Sequence, residues 1–134
     1  MIQNKIVAHY LNGQVMKGIT SDFMPNKDLL HLLPENAPLS SKPLPVAIKE
    51  LKALFFVKDF KGDPKYHEKK EFGPTQAVAG RKIQVVFMDG EVLVGTTQGY
   101  QPRRPGFFLF PADSKSNTDR CYIVSTAVKS VSYI

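Results

Sequence analysis

One stretch of the chain has the residue types and spacing for work on a ligand. It reads Tyr100-Gln101-Pro102-Arg103-Arg104-Pro105-Gly106-Phe107-Phe108. Two guanidinium groups in a turn stiffened by prolines could grip a phosphate bidentately while a ring stacks on the flanking aromatics. With one more arginine further along, the candidate ligand-binding residues are Tyr100, Arg103, Arg104, Phe108 and Arg120. The competing reading is a solubilising turn above a phenylalanine core.

Catalysis has little to build on. His9, His31 and His67 are scattered, and His31 lies in an apolar run where a buried, hydrogen-bonded role is expected. Neither a metal-ligand spacing nor a glycine-rich phosphate cradle occurs, and a lone Cys121 rules out the usual thiolate zinc site. The sequence therefore calls for no metal, no cofactor and no enzyme activity.

The elements that would position these residues come from an internal repeat. Sliding the chain by 77 positions lays Lys5–Val57 on Lys82–Ile134 without a gap, and ten of the 53 pairs are identical. They include Gly13/Gly90, Gly18/Gly95, Pro25/Pro102, Leu32/Leu109 and Pro34/Pro111, which are residues that fix backbone geometry. Arg103 and Arg104 fall opposite Asn26 and Lys27, so the fold does not require them. Cys121 falls opposite Leu44, which marks it as a packing residue.

Each copy opens with period-two alternation, Ile6/Ala8/Tyr10 and Ile83/Val85/Phe87. Asn12-Gly13 and Asp89-Gly90 follow, and such pairs between alternating runs predict a hairpin with a type I′ turn. Gly18 and Gly95 lie inside the second strands, where a glycine marks a bend, a bulge or a close backbone approach; a bend is expected here. The third strands, Leu29–Pro34 and Phe107–Pro111, are apolar on both faces, so one face should line its own core and the other should meet the opposite copy. Fourth strands are expected at Val46–Ile48 and Ile123–Ser125, 3₁₀ turns at Lys49–Leu51 and Thr126–Val128, and fifth strands at 52–57 and 129–134. The resulting organisation is a first repeat at 1–57, a charged, partly ordered connector at 58–81 and a second repeat at 82–134. Phe60, Tyr66 and Phe72 recur through the connector, and part of it should pack against a repeat.

The net charge of +6 suggests a polyanionic partner until its distribution is counted. Each of the three sections holds six Lys/Arg against four Asp/Glu, so no basic arm or tail exists. With 43% hydrophobic and 22% charged residues, the composition is that of a globular protein, without a run long enough to span a membrane. A single cysteine and the absence of an apolar leader point to a cytoplasmic setting.

A long hairpin, a bent second strand, third and fourth strands, a 3₁₀ turn and a fifth strand resemble the SH3-like small barrel, and more closely its Sm-like branch. The apolar-x-Gly-x-apolar second strand is matched by Val15–Ile19 and Val92–Thr96, and the aromatic five residues on by Phe23 and Tyr100. That family's RNA pocket has an Asp just after this aromatic, whereas this chain has Met24 or Gln101. Leu51–Phe60 and Gly95–Pro111 also resemble an uncharacterised bacterial domain that accompanies regulatory proteins. These resemblances imply a mainly β protein of two tandem five-stranded SH3/Sm-like barrels related by a pseudo-twofold. Open five-stranded barrels leave edge strands that can pair between the copies or between chains, so the favoured function is a non-enzymatic adaptor or regulatory module, binding a protein partner or a second copy through strand edges and apolar strands. The rival class is a nucleic-acid or nucleotide binder built on the Tyr/Arg turn; no membrane partner is expected.

Overall fold

The computed structural model describes residues 3–38, 40–62, 65–69, 72 and 80–134. The first half contributes β1 (Asn4–Tyr10), β2 (Val15–Thr20), β3 (Leu29–Pro34), β4 (Leu44–Ala47) and β5 (Leu51–Val57). The second contributes β6 (Arg81–Phe87), β7 (Val92–Thr97), β8 (Gly106–Pro111), β9 (Thr118–Val124) and β10 (Val128–Tyr133). A 3₁₀ turn precedes each fifth strand, at Ile48–Glu50 and Ser125–Ala127, one residue earlier than the sequence suggested. No helix among the described residues is long and apolar enough to cross a membrane.

The ten strands form one antiparallel sheet in the order β10-β6-β7-β8-β9-β5-β1-β2-β3-β4. The two five-stranded units expected in tandem are joined here in a single open sheet with β10 and β4 at its ends. The reason is that β5 does not stop at its own half: it pairs with β9 from Ala53↔Ile123 to Phe56↔Arg120. Within each half the order is the same, β5-β1-β2-β3-β4 and β10-β6-β7-β8-β9. The seam nevertheless joins unlike strands, the fifth of one half to the fourth of the other. A twofold would join like to like, so the halves are related head to tail.

The seam also shares side chains. Successive residues of a strand point to opposite faces, and at the seam both faces are covered. Leu54, Phe56, Tyr122 and Val124 lie in the core of the first half, with Ile6, Leu30 and Leu51. Ala53, Cys121 and Ile123 lie in the core of the second, with Ile83, Phe87 and Leu109. Cys121 is buried there as a packing residue. This accounts for the unbroken apolar run Ala53–Val57, which no half-exposed strand would carry.

The hairpins differ in turn type from the expectation. Gly13 and Gly90 have φ of +91° and +93°, but no described non-glycine residue has positive φ. Gly13 N–H donates to Tyr10 C=O (3.0 Å) and Tyr10 N–H to Gln14 C=O (2.9 Å). That is a three-residue loop, a type I turn closed by a left-handed glycine, rather than type I′. Gly18 and Gly95 serve close approach rather than bending alone. A Cβ there would stand 2.3 Å from Leu33 O and 2.1 Å from Phe110 O.

The described part of the connector docks on the second half. Tyr66 Oη donates to Asp113 Oδ2, and Lys69 N–H donates to the same oxygen at 2.9 Å. Phe72 lies beneath Lys82 Nζ at 4.8 Å. Phe60 stays with the first half, its carbonyl accepting from Lys17 Nζ at 2.8 Å. The rest of the connector reading, at 63–64, 70–71 and 73–79, lies outside the described residues.

Candidate strand-edge docking site

Backbone directions at the seam follow from a few hydrogen bonds. Ser125 N–H donates to Pro105 C=O (2.8 Å). By the alternation of an antiparallel ladder, Cys121 and Ile123 then bond toward β8, while Arg120 and Tyr122 bond toward Phe56 and Leu54 of β5. On the face turned to the core of the first half the seam is a cluster of rings. Phe23 meets Tyr122 at 5.0 Å and Phe56 at 5.6 Å, and Phe108 meets Tyr122 at 5.2 Å. The Arg120 guanidinium lies 4.4 Å from the Phe56 ring and 5.1 Å from that of Phe108. Phe23, Leu54 and Phe56 therefore form an accepting surface, and Phe108, Arg120 and Tyr122 fill it.

The same parity can be read at the two free ends of the sheet. Ile48 N–H donates to Asp28 C=O (2.9 Å), so Leu44 and Val46 bond toward β3, and Pro43, Pro45 and Ala47 face outward. Pro43 and Pro45 occupy the places of Arg120 and Tyr122 in the repeat alignment, the residues that make the seam. Proline has no N–H, so this end cannot make the joint that its counterpart makes. Phe108 is replaced as well, by His31. His31 is hydrogen-bonded but exposed, not buried as expected: its Nδ1 lies 2.7 Å from Asp22 Oδ2. Burial alone would raise the Asp22 carboxyl, but bonds from the His31 N–H and ring and from the Thr20 hydroxyl hold it below the ordinary carboxylate range. The first end of the sheet is thus short of donors.

The other end is open. Ile134 N–H donates to Lys82 C=O (3.1 Å), which turns Ser130 and Ser132 toward β6 and leaves the N–H and C=O of Val131 and Tyr133 facing outward. No described strand pairs with them. Val131 and Tyr133 are the counterparts of Leu54 and Phe56, and Tyr100 is the counterpart of Phe23. The open end therefore repeats the accepting surface of the seam without its occupant. Tyr133 is 47% exposed where Phe56 is 4% exposed. A hollow of ≈ 100 Å³ adjoins this edge, walled by Tyr100, Pro102, Phe107, Val128, Lys129 and Val131. Arg81 lies over the Tyr133 ring at 3.8 Å.

The family scan matches residues 2–134 to the model described as Family of unknown function (DUF6982). The chain belongs to this family. No curated protein and no solved structure matches it. The expectation of an uncharacterised family across the whole chain is met.

In this DUF6982 chain the five sequence-picked residues do not converge. Tyr100 packs edge-on against Phe107 at 4.7 Å, on the core of the second half. Phe108, the next residue on the strand, points the other way into the seam with Arg120. Arg103 is exposed in the turn. Arg104 is held by its neighbours: its Nε donates to Gln101 Oε1 (2.7 Å), and its carbonyl accepts from Ser125 Oγ (2.7 Å). Of the five, Tyr100 borders the open edge, while Phe108 and Arg120 belong to the seam. The third-strand contact expected between copies is made by Phe108, whereas Leu29 and His31 on β3 are exposed.

Larger hollows lie elsewhere. One of ≈ 670 Å³ separates the connector from the β8–β9 loop, with Lys58, Lys61 and Lys115 around it. Its polar walls are engaged with one another, Ser116 with Glu68 and Asn117 Nδ2 with the Asp59 carbonyl at 2.7 Å. Sequence reasoning expected binding through strand edges but did not single out β10, because the signal that does so is comparative. It appears only when Pro43 and Pro45 are set against Arg120 and Tyr122, and Tyr133 against Phe56.

Proposed function

We propose that this chain is a non-enzymatic adaptor that binds a protein partner by adding the partner's extended segment to the outer edge of β10. Each five-strand run is then a small SH3/Sm-like barrel module, the two fused edge to edge, in a regulatory setting. The observation that carries this reading is the seam: the fold already contains one strand docked on the surface Phe23–Leu54–Phe56, and the equivalent surface Tyr100–Val131–Tyr133 has none among the described residues. Strand addition draws affinity from backbone hydrogen bonds and specificity from alternate side-chain pockets. The outward groups of Val131 and Tyr133 supply the first, and the hollow beside Tyr100 supplies the second.

The test is selection of displayed peptides on the folded protein, countered by Val131→Pro. That change removes an outward donor and spares the bonds to β6, because proline is tolerated at outward positions of edge strands. Selected peptides that lose binding on Val131→Pro support the reading. Peptides indifferent to it, or no selection at all, overturn it.

A further inference from the structure

Resting on that reading, we infer that the segment taken by β10 is an acidic one from a different protein, antiparallel to β10, with the pattern acid-x-aromatic-x-acid. The register is copied from the seam. There Tyr122 pairs with Leu54 and Arg120 with Phe56. At the open edge the residue paired with Val131 would lie beside Tyr100, as Tyr122 lies beside Phe23, and an aromatic side chain meets Tyr100 there. The residue two positions earlier pairs with Tyr133. In the seam that place holds Arg120, whose guanidinium covers Phe56. At the open edge the chain's own Arg81 already covers Tyr133 at 3.8 Å. A cation from the partner would meet a cation, whereas a carboxylate would meet the Arg81 guanidinium in a charge-assisted pair. Two positions beyond the aromatic the segment reaches Lys129, which lies at the register shift between Val128 and Ser130, is exposed, borders the same hollow as Tyr100 and prefers a second acid. The intervening residues face Ser130 and Ser132 and need only be small or hydroxylated.

A second copy of the chain is a poor occupant on two counts. Its β4 cannot supply the strand, because Pro43 and Pro45 stand where the bonding residues must be. Antiparallel pairing of two β10 strands would bring Arg81 and Lys129 of both copies to one seam, between chains that each carry +6.

The probe is a fluorescein-labelled, end-blocked peptide Ser-Glu-Thr-Tyr-Thr-Glu-Ser, with a control carrying Lys for both Glu, titrated against the full chain by anisotropy. The Glu peptide should bind at least about tenfold more tightly than the Lys peptide. Val131→Pro should abolish binding. The double variant Arg81→Glu with Lys129→Glu, at two exposed positions, should reverse the peptide preference. Sedimentation of the free protein should show a monomer. Equal binding of both peptides, or an unchanged preference in the charge-reversed variant, overturns the acidic occupant. So does a dimer that Val131→Pro dissolves, since the occupant would then be a second copy. If displayed peptides of other composition still respond to Val131→Pro, the edge reading stands and this inference falls; if nothing responds, both fall.

Discussion

Truncating Phe56 and Tyr133 to alanine, one at a time, compares the same repeat position with and without a docked strand. Phe56 is 4% exposed, with the rings of Phe23 at 5.6 Å and Phe108 at 6.2 Å and the Arg120 guanidinium at 4.4 Å. Removing such a ring deletes its burial and leaves a cavity that the seam cannot fill, a cost of about 3–5 kcal/mol. Tyr133 is 47% exposed and borders solvent, so its truncation opens no cavity. Losing half of the ~1.5–3 kcal/mol of a fully buried side chain gives about 1 kcal/mol. Equilibrium urea unfolding followed by far-ultraviolet circular dichroism measures the difference. With a slope of about 2 kcal/mol per molar, Phe56→Ala should lower the midpoint by ~2 M and Tyr133→Ala by ~0.5 M. Equal shifts, or a larger one for Tyr133→Ala, would refute the claim that the β5·β9 joint is what buries Phe56.

Further consequences are open to measurement. Gly95→Ala places a Cβ 2.1 Å from Phe110 O and should cost about 1–3 kcal/mol, read as a fall of roughly 3–10 °C in Tm. Gly99→Ala, with nothing within 4 Å of the added carbon, should leave Tm unchanged. The bond from Tyr66 to Asp113, with some desolvation, pushes the phenol up to about 12. Because the protonated form is the one that the fold favours, this stabilisation is complete below the ordinary tyrosine value of about 10 and is lost as pH rises from there through 12. Burial also raises the Tyr10 and Tyr122 phenols, so phenolate absorbance should show several late tyrosines, of which Tyr66→Phe removes one. Pro43→Glu with Pro45→Tyr restores outward donors on β4 and gives it the acid-x-aromatic pattern. Sedimentation should then show concentration-dependent head-to-tail assembly of β4 on the β10 of another chain, and a variant that stays monomeric would show that the prolines are not what closes that end.

Much of the fold was legible because its signals are local. The period-two runs placed the first strands of each half, and the gapless alignment placed the remaining elements to within a few residues. The turn type was misjudged because Asn12-Gly13 supports two loop lengths, and only the φ sign at Asn12 separates them. How the two halves join was left open for a different reason. Whether the apolar fifth strand Leu51–Val57 curls back to its own β4 or continues into β9 is a long-range choice, and both leave the same hydrophobic pattern. Among the candidate residues, Tyr100 was chosen for stacking and does border the open edge, but Arg120 was chosen for its charge and its guanidinium packs on Phe56 and Phe108. An arginine's use depends on what lies beneath it, and the rings beneath Arg120 come from 64 and 12 positions away in the chain.

The most direct test of the central claim is amide hydrogen exchange by NMR, residue by residue, with and without saturating Glu-containing peptide. Ser130 and Ser132 already bond to β6 and should exchange at the same slow rate in both states. Val131 and Tyr133 should exchange fast in the free protein and become protected when the peptide is bound. Protection that falls elsewhere, or a pair of amides already protected before any peptide is added, would contradict the account.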